Sequence, residues 1–149
     1  MDVLGEQWTM LIVRDTFFGV RNFDDFQKSL GIARNVLATR LAKLVDEGIL
    51  SRRVSEQDRR KVEYRLTQKG RDLFPMIISL SQWGAKHLRR DGELPAFSLV
   101  DREAGQPLGP VEVRSSDGRV LTPFDTQIVS ASGTTDEIRA VIPPLRKAG

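Results

Sequence analysis

The sequence predicts a mainly α fold with α+β character: three helices, a strand hairpin and a longer helix, followed by a small segment rich in β-hairpins. Three features predict it. Apolar residues recur at three- and four-residue steps through most of residues 1–90, and two alternating runs flank a charged loop inside that stretch. From Asp91 onward the pattern breaks into short runs separated by Gly and Pro. At 149 residues and 40% hydrophobic, the chain suits one domain over 1–90 and a small appendage over 91–149.

The first helix is predicted from Trp8 to Phe18, with Trp8, Leu11, Ile12 and Phe18 facing the core and Gly19 closing it. Arg21-Asn22-Phe23 is a short connector. Asn22 is placed to cap a second helix with Asp24 and Asp25 in its first turn, where the helix dipole favours carboxylates, and Phe23, Phe26 and Leu30 form its buried stripe. Gly31-Ile32 turns the chain into a third helix whose apolar side is Leu37, Leu41 and Leu44, stopped by Gly48. Ile49 to Val54 and Val62 to Leu66 read as strands, joined by a polar loop over residues 55–61 in which Asp58 is expected to pair with a nearby arginine. Thr67 is placed to cap a helix running to about Arg90, with Leu73, Ile77, Leu80 and Leu88 apolar and a kink or break at Pro75. That helix holds more apolar surface than the small domain needs, which points to a second copy of the chain.

Beyond the expected linker Asp91-Gly92-Glu93-Leu94-Pro95, strand-like runs occur at Phe97 to Val100, Val111 to Arg114, Arg119 to Leu121 and Gln127 to Val129, with a tight turn at Asp117-Gly118. A short helix from Thr134 or Thr135 through Val141 and a loose tail around Pro143-Pro144 complete the expectation.

Composition narrows the chemistry. There is no cysteine and one histidine, His87, so disulfides, thiolate catalysis and a conventional metal site are not expected, and His87 reads as helix surface. No nucleophile–base set, phosphate-cradling glycine loop or carboxylate cluster places an active site, so neither an enzyme nor a cofactor is expected. No signal peptide or membrane-spanning run is evident, and a soluble cytoplasmic protein is expected. The net charge of +3 is unevenly spread: Met1 to Arg90 holds 17 Lys+Arg and 11 Asp+Glu, whereas Asp91 to Gly149 holds 6 and 9. Ala33 to Arg71 alone holds 11 bases and 5 acids, so the excess sits on the third helix and the hairpin. Charge alone is compatible with a solvated face; confined to one helix and one hairpin, it fits a phosphate-binding surface better.

The third helix opposes its leucines with Asn35, Thr39, Lys43 and the small Ala38 and Ala42, a slim face that can enter a DNA major groove. Helix, turn, helix and a basic-tipped hairpin form the pattern of a winged helix-turn-helix domain. Arg34, Asn35 and Thr39, on the first turns of the helix, are the candidates for base readout. Lys43, Arg53, Arg59, Arg60 and Lys61 are candidates for phosphate or minor-groove contacts from helix and wing. Arg40 lies nearer the apolar stripe, and a phosphate contact and a pair with Asp24 or Asp25 stay equally open. Trp8, Trp83 and Phe74 could line a ligand pocket, with core packing the preferred reading.

The stretches Asp2–Ile12, Arg21–Phe26, Asn35–Leu41, Glu47–Leu50 and Val62–Gly70 together resemble the HxlR-type (DUF24) bacterial transcriptional regulators, and Asp58-Arg59-Arg60 with Leu66-Thr67 and Gly70 is similar to the wing signature of the related MarR regulators. The resemblance implies a homodimeric winged helix-turn-helix regulator on pseudo-palindromic promoter sites, its terminal helices building the dimer. Thiol sensing, known in many members, is not carried over to a chain without cysteine. The C-terminal segment resembles a zinc-ribbon-like extension of some members, but Ala104, Arg114 and Asp117 stand at the candidate ligand positions, so hairpins without metal are expected. The partners expected are double-stranded DNA, a second copy of the chain and an effector of unidentified chemistry. The alternative is a winged-helix module that binds proteins or small molecules without sequence-specific DNA binding.

Overall fold

The computed structural model describes residues 4–56, 58–88 and 99–128. The chain divides into two units, Met1–Ser98 and Leu99–Gly149.

In the first unit, α1 (Thr9–Phe17), α2 (Phe23–Leu30) and α3 (Arg34–Asp46) are followed by β1 (Leu50–Val54), β2 (Val62–Leu66), the short α4 (Gln68–Arg71) and α5 (Phe74–His87). Leu37, Leu41 and Leu44 recur along one side of α3 and are fully buried against Ile12, Val13, Phe26 and Ile77. Burying each leucine stabilises the domain by about 1.5–3 kcal/mol, so α3 is seated by hydrophobic contact. The helix ends where Gly48 takes φ 68°, a conformation that a Cβ disfavours, and Lys69 Nζ donates to the orphan carbonyl of Glu47 at 2.6 Å.

The strands pair antiparallel, Leu50 opposite Leu66, Arg52 opposite Tyr64 and Val54 opposite Val62. The connector before α2 adds a single bridge at Asn22 and Glu63, and the Tyr64 N–H donates to the Arg21 carbonyl at 2.8 Å. Thr67 joins the sheet to α4: its hydroxyl donates to the Gly48 carbonyl at 2.6 Å and accepts from the Gly70 N–H at 3.1 Å. A Cβ on Gly70 would stand 2.3 Å from the Ile49 carbonyl oxygen, so this close approach requires glycine. The break expected near Pro75 falls at residues 72–73, with Pro75 in the first turn of α5, where its missing N–H leaves no bond unmade.

Several expectations need correction. The buried face of α1 is Thr9, Ile12, Val13 and Thr16, with Asp15 beside it, whereas Leu11 and Phe18 are exposed. Thr16 can be buried because its hydroxyl donates to the Ile12 carbonyl at 2.7 Å, and Asp15 because Arg14 and Ser29 both donate to its carboxylate. Asn22 occupies the N-cap of α2 without a side-chain cap, since its amide donates to Asp25 Oδ2 at 3.2 Å instead. Trp83 does not pack into the core of the chain: with Leu80 it is 53% exposed, and Leu88 is exposed as well. Phe74 packs its ring against Phe17 at 5.3 Å but stays partly in solvent.

The second unit is held by turns. Val100 bridges Pro107 around one turn, and Arg114 bridges Val120 around Asp117-Gly118, where the Ser115 N–H donates to the Arg119 carbonyl at 2.9 Å. Among the described residues, Val100, Arg114 and Val120 of the expected runs make only these single bridges, Pro107 having no N–H to extend the first, and Gln127 and Ile128, expected to begin a strand, enter none. Pro123–Asp125 forms one 3₁₀ turn. The expected linker, the Phe97 start of the first run, Val129 at the end of the last, the final helix and the tail lie outside the described residues. No helix among the described residues is long and apolar enough to cross a membrane.

Candidate nucleic-acid interface

With its leucines seated, α3 turns Asn35, Ala38, Thr39 and Ala42 to solvent. Two alanines and two short polar side chains leave the helix backbone accessible, and the Thr39 hydroxyl donates to the Asn35 carbonyl at 2.9 Å, which keeps its bulk close to the helix. No charge lies on this strip.

The cations of α3 stand on its flanks, and all are engaged. Arg34, at the first helical position, donates to Asp24 Oδ1 at 3.0 Å and Gln27 Oε1 at 2.8 Å, with its guanidinium 4.7 Å from the centroid of the Phe23 ring. It therefore braces α3 against α2. On the other flank, Arg40 pairs with Glu6, and Lys43 Nζ lies 2.8 Å from the second oxygen of the same carboxylate. The acid that meets Arg40 is thus Glu6, not Asp24 or Asp25.

The wing differs. Its root is tied by the Ser55 N–H donating to the Lys61 carbonyl at 2.8 Å and by Glu63, which accepts from the Ser55 hydroxyl at 2.6 Å and from Arg65 at 2.8 Å. These donors, Ser55 first, hold the Glu63 carboxyl below the usual carboxylate range, and Glu63 in turn raises the Arg65 guanidinium. Asp58 braces the tip through the Arg60 N–H at 3.0 Å, so the arginine partner expected for it is replaced by a backbone amide. Arg52, Arg53, Arg59, Arg60 and Lys61 are exposed, and no ion pair among the described residues engages them. The sequence pattern does not single out Arg52; the adjacent Arg52-Arg53 on a strand leading to a basic tip is the available signal. His87 is exposed beside Trp83, and no group of side chains among the described residues could hold a metal ion. Between the start of α2 and the wing lies an open cleft of about 470 Å³ lined by Asp24, Asp25, Lys28, Arg60, Lys61 and Tyr64 among others.

The model of the HxlR-like helix-turn-helix family matches residues 3–92, the stretch that holds this helix and hairpin. The chain belongs to that family. An HTH-type transcriptional regulator of Mycobacterium tuberculosis, Rv3095, is 40% identical to this HxlR-like chain over 122 residues, 82% of the chain and 77% of the relative. The crystal structure of PA1607, named as a transcription factor, superposes with a TM-score of 0.80 at 45% identity, covering 85% of this chain and 88% of that one. A second such factor, PA1374 of Pseudomonas aeruginosa, gives 0.61 at 32% identity and covers 95% of both chains. The reduced form of the redox regulator HypR gives 0.54 at 32% identity over 58% of this chain and 87% of its own. The HxlR-like chain is thus a DNA-binding transcriptional regulator by family, and its relatives are named as regulators, not enzymes.

Proposed function

We propose that this HxlR-like regulator binds double-stranded DNA as a homodimer on a pseudo-palindromic promoter site. The observation that carries the reading is the pairing of an uncharged, slim face on α3 with a wing of the same unit whose five exposed basic side chains enter no ion pair among the described residues. Asn35 and Thr39 read base edges, Arg34 assists from the helix N-terminus, and Arg53, Arg59, Arg60 and Lys61 hold phosphates. Arg40 and Lys43 serve as lesser phosphate contacts, limited by their partner Glu6. The second copy docks on α5, where Met76, Leu80 and Trp83 line one exposed apolar face at i, i+4 and i+7. Two reading helices then meet half-sites about one DNA turn, roughly 34 Å, apart.

Selection of bound duplexes from a random pool tests the reading as a whole. The expected product is an inverted repeat whose half-sites have that spacing. A pool that emerges without any enriched motif would instead favour an interaction module.

A further inference from the structure

All the positive charge on the lower flank of α3 converges on one carboxylate. Arg40 and Lys43 stand about one helical turn apart, between the buried leucines and the exposed strip of Asn35, Thr39 and Ala42. A helix lying in a major groove has a sugar–phosphate strand along each flank, so this is where cations would meet phosphate. Glu6 occupies that position from within the chain, its two oxygens taken by the two side chains, and all three groups are only about one-quarter to one-third exposed. Nor is Glu6 on a loose arm. Two residues later Trp8 takes φ 76°, a conformation that a bulky side chain adopts where packing holds it, and Trp8 packs against the core at the start of α1.

We propose that Glu6 is a specificity-determining residue that stands in for a DNA phosphate: it engages Arg40 and Lys43 on the flank of the reading helix, offsets one of their two positive charges and thereby suppresses sequence-independent binding. The inference rests on α3 being the reading helix. Exposed ion pairs exchange partners easily, but exchange would not remove the effect, because a carboxylate fixed beside a phosphate strand repels it. Base contacts from Asn35 and Thr39 are untouched by this charge at close range, whereas contacts that any sequence offers are weakened. Glu6 therefore widens the ratio of specific to non-specific affinity without touching a base.

The test uses the full chain and the slope of log affinity against log salt, which falls by about 0.9 for each phosphate neutralised on duplex DNA. On a random-sequence duplex, Glu6→Gln should steepen the slope by about 1 and raise affinity at low salt at least several-fold, with a smaller gain on the selected site. The triple variant Glu6→Gln, Arg40→Gln, Lys43→Gln removes two cations and one anion, a net loss of one positive charge, so its slope should be shallower than wild type by no more than about 1. An unchanged slope in folded Glu6→Gln, or a triple variant whose slope is shallower by nearly 2, would overturn the proposal. Either variant decides the matter if the other fails to fold. Wild-type protein with no salt-dependent affinity for any duplex would instead remove the DNA-binding reading on which the proposal stands.

Discussion

On α3 every cationic side chain is engaged inside the chain, Arg34 by Asp24 and Gln27, and Arg40 and Lys43 by Glu6, whereas the wing holds Arg52, Arg53, Arg59, Arg60 and Lys61 out to solvent. The two regions carry different kinds of support as well. A row of buried leucines seats α3, and the wing rests on a five-residue strand pair and a few hydrogen bonds at its root. The contrast divides the labour of recognition. A rigid, nearly neutral face suits groups that must meet base edges at hydrogen-bond distance, and a lightly supported basic tip suits phosphates, which are met in many geometries.

The largest expected effect tests the difference in support. Leu41→Ala removes a fully buried side chain from the seat of α3 and should cost about 2–5 kcal/mol, a drop in Tm on the order of 10 °C or more for a domain this size. Val54→Ala, on the exposed end of the wing, should cost no more than about 0.5 kcal/mol. Thermal unfolding followed by circular dichroism compares the two, and equal costs would mean that the wing is as firmly built as the helix.

The parts of this architecture that repeat locally are readable from the chain. The leucine stripe of α3, the stop at Gly48, the two strands, the Thr67 cap and the break near Pro75 each depend on residues within a few positions of one another. The buried face of α1 escapes because it is built from Thr9, Thr16 and Asp15, polar residues whose burial depends on hydrogen bonds that no hydrophobic pattern reports. The partner of Lys43 escapes for a different reason: Glu6 lies 37 residues away, and which acid meets which base is settled only when α1 packs against α3. Trp83 reads as core because an apolar residue on a helix does not say whether the same chain covers it.

A middle-sized effect tests the division between shape and charge. Asn35→Ala should flatten the base preference of the bound site by about 1–3 kcal/mol of discrimination at one position, leaving the salt dependence as it was. Arg60→Ala should do the converse, making the slope of log affinity against log salt shallower by about 0.9 while the preferred sequence is unchanged. Measuring both variants on matched and mismatched duplexes over a salt series separates the two. If Arg60→Ala alters the preferred bases, the wing reads sequence and the division fails.

The smallest effect concerns acid. Glu63 titrates below its ordinary range because the Ser55 hydroxyl, and after it the Arg65 guanidinium, stabilise the carboxylate. A carboxyl group whose folded value is depressed contributes stability at pH above its unfolded value and loses it as the pH falls through the folded value. The wing root should therefore loosen on acidification below about pH 4, whereas the leucines that seat α3 hold no titratable group. Glu63→Gln removes the charge, so it should already lack at neutral pH the support that the carboxylate gives the wing root and should flatten the acid response. Hydrogen exchange at the Ser55 amide, which bonds the Lys61 carbonyl across the wing, reports the opening directly. Protection at Ser55 that falls with acid to the same degree in wild type and Glu63→Gln would place the acid-sensitive group elsewhere and remove this distinction between wing and helix.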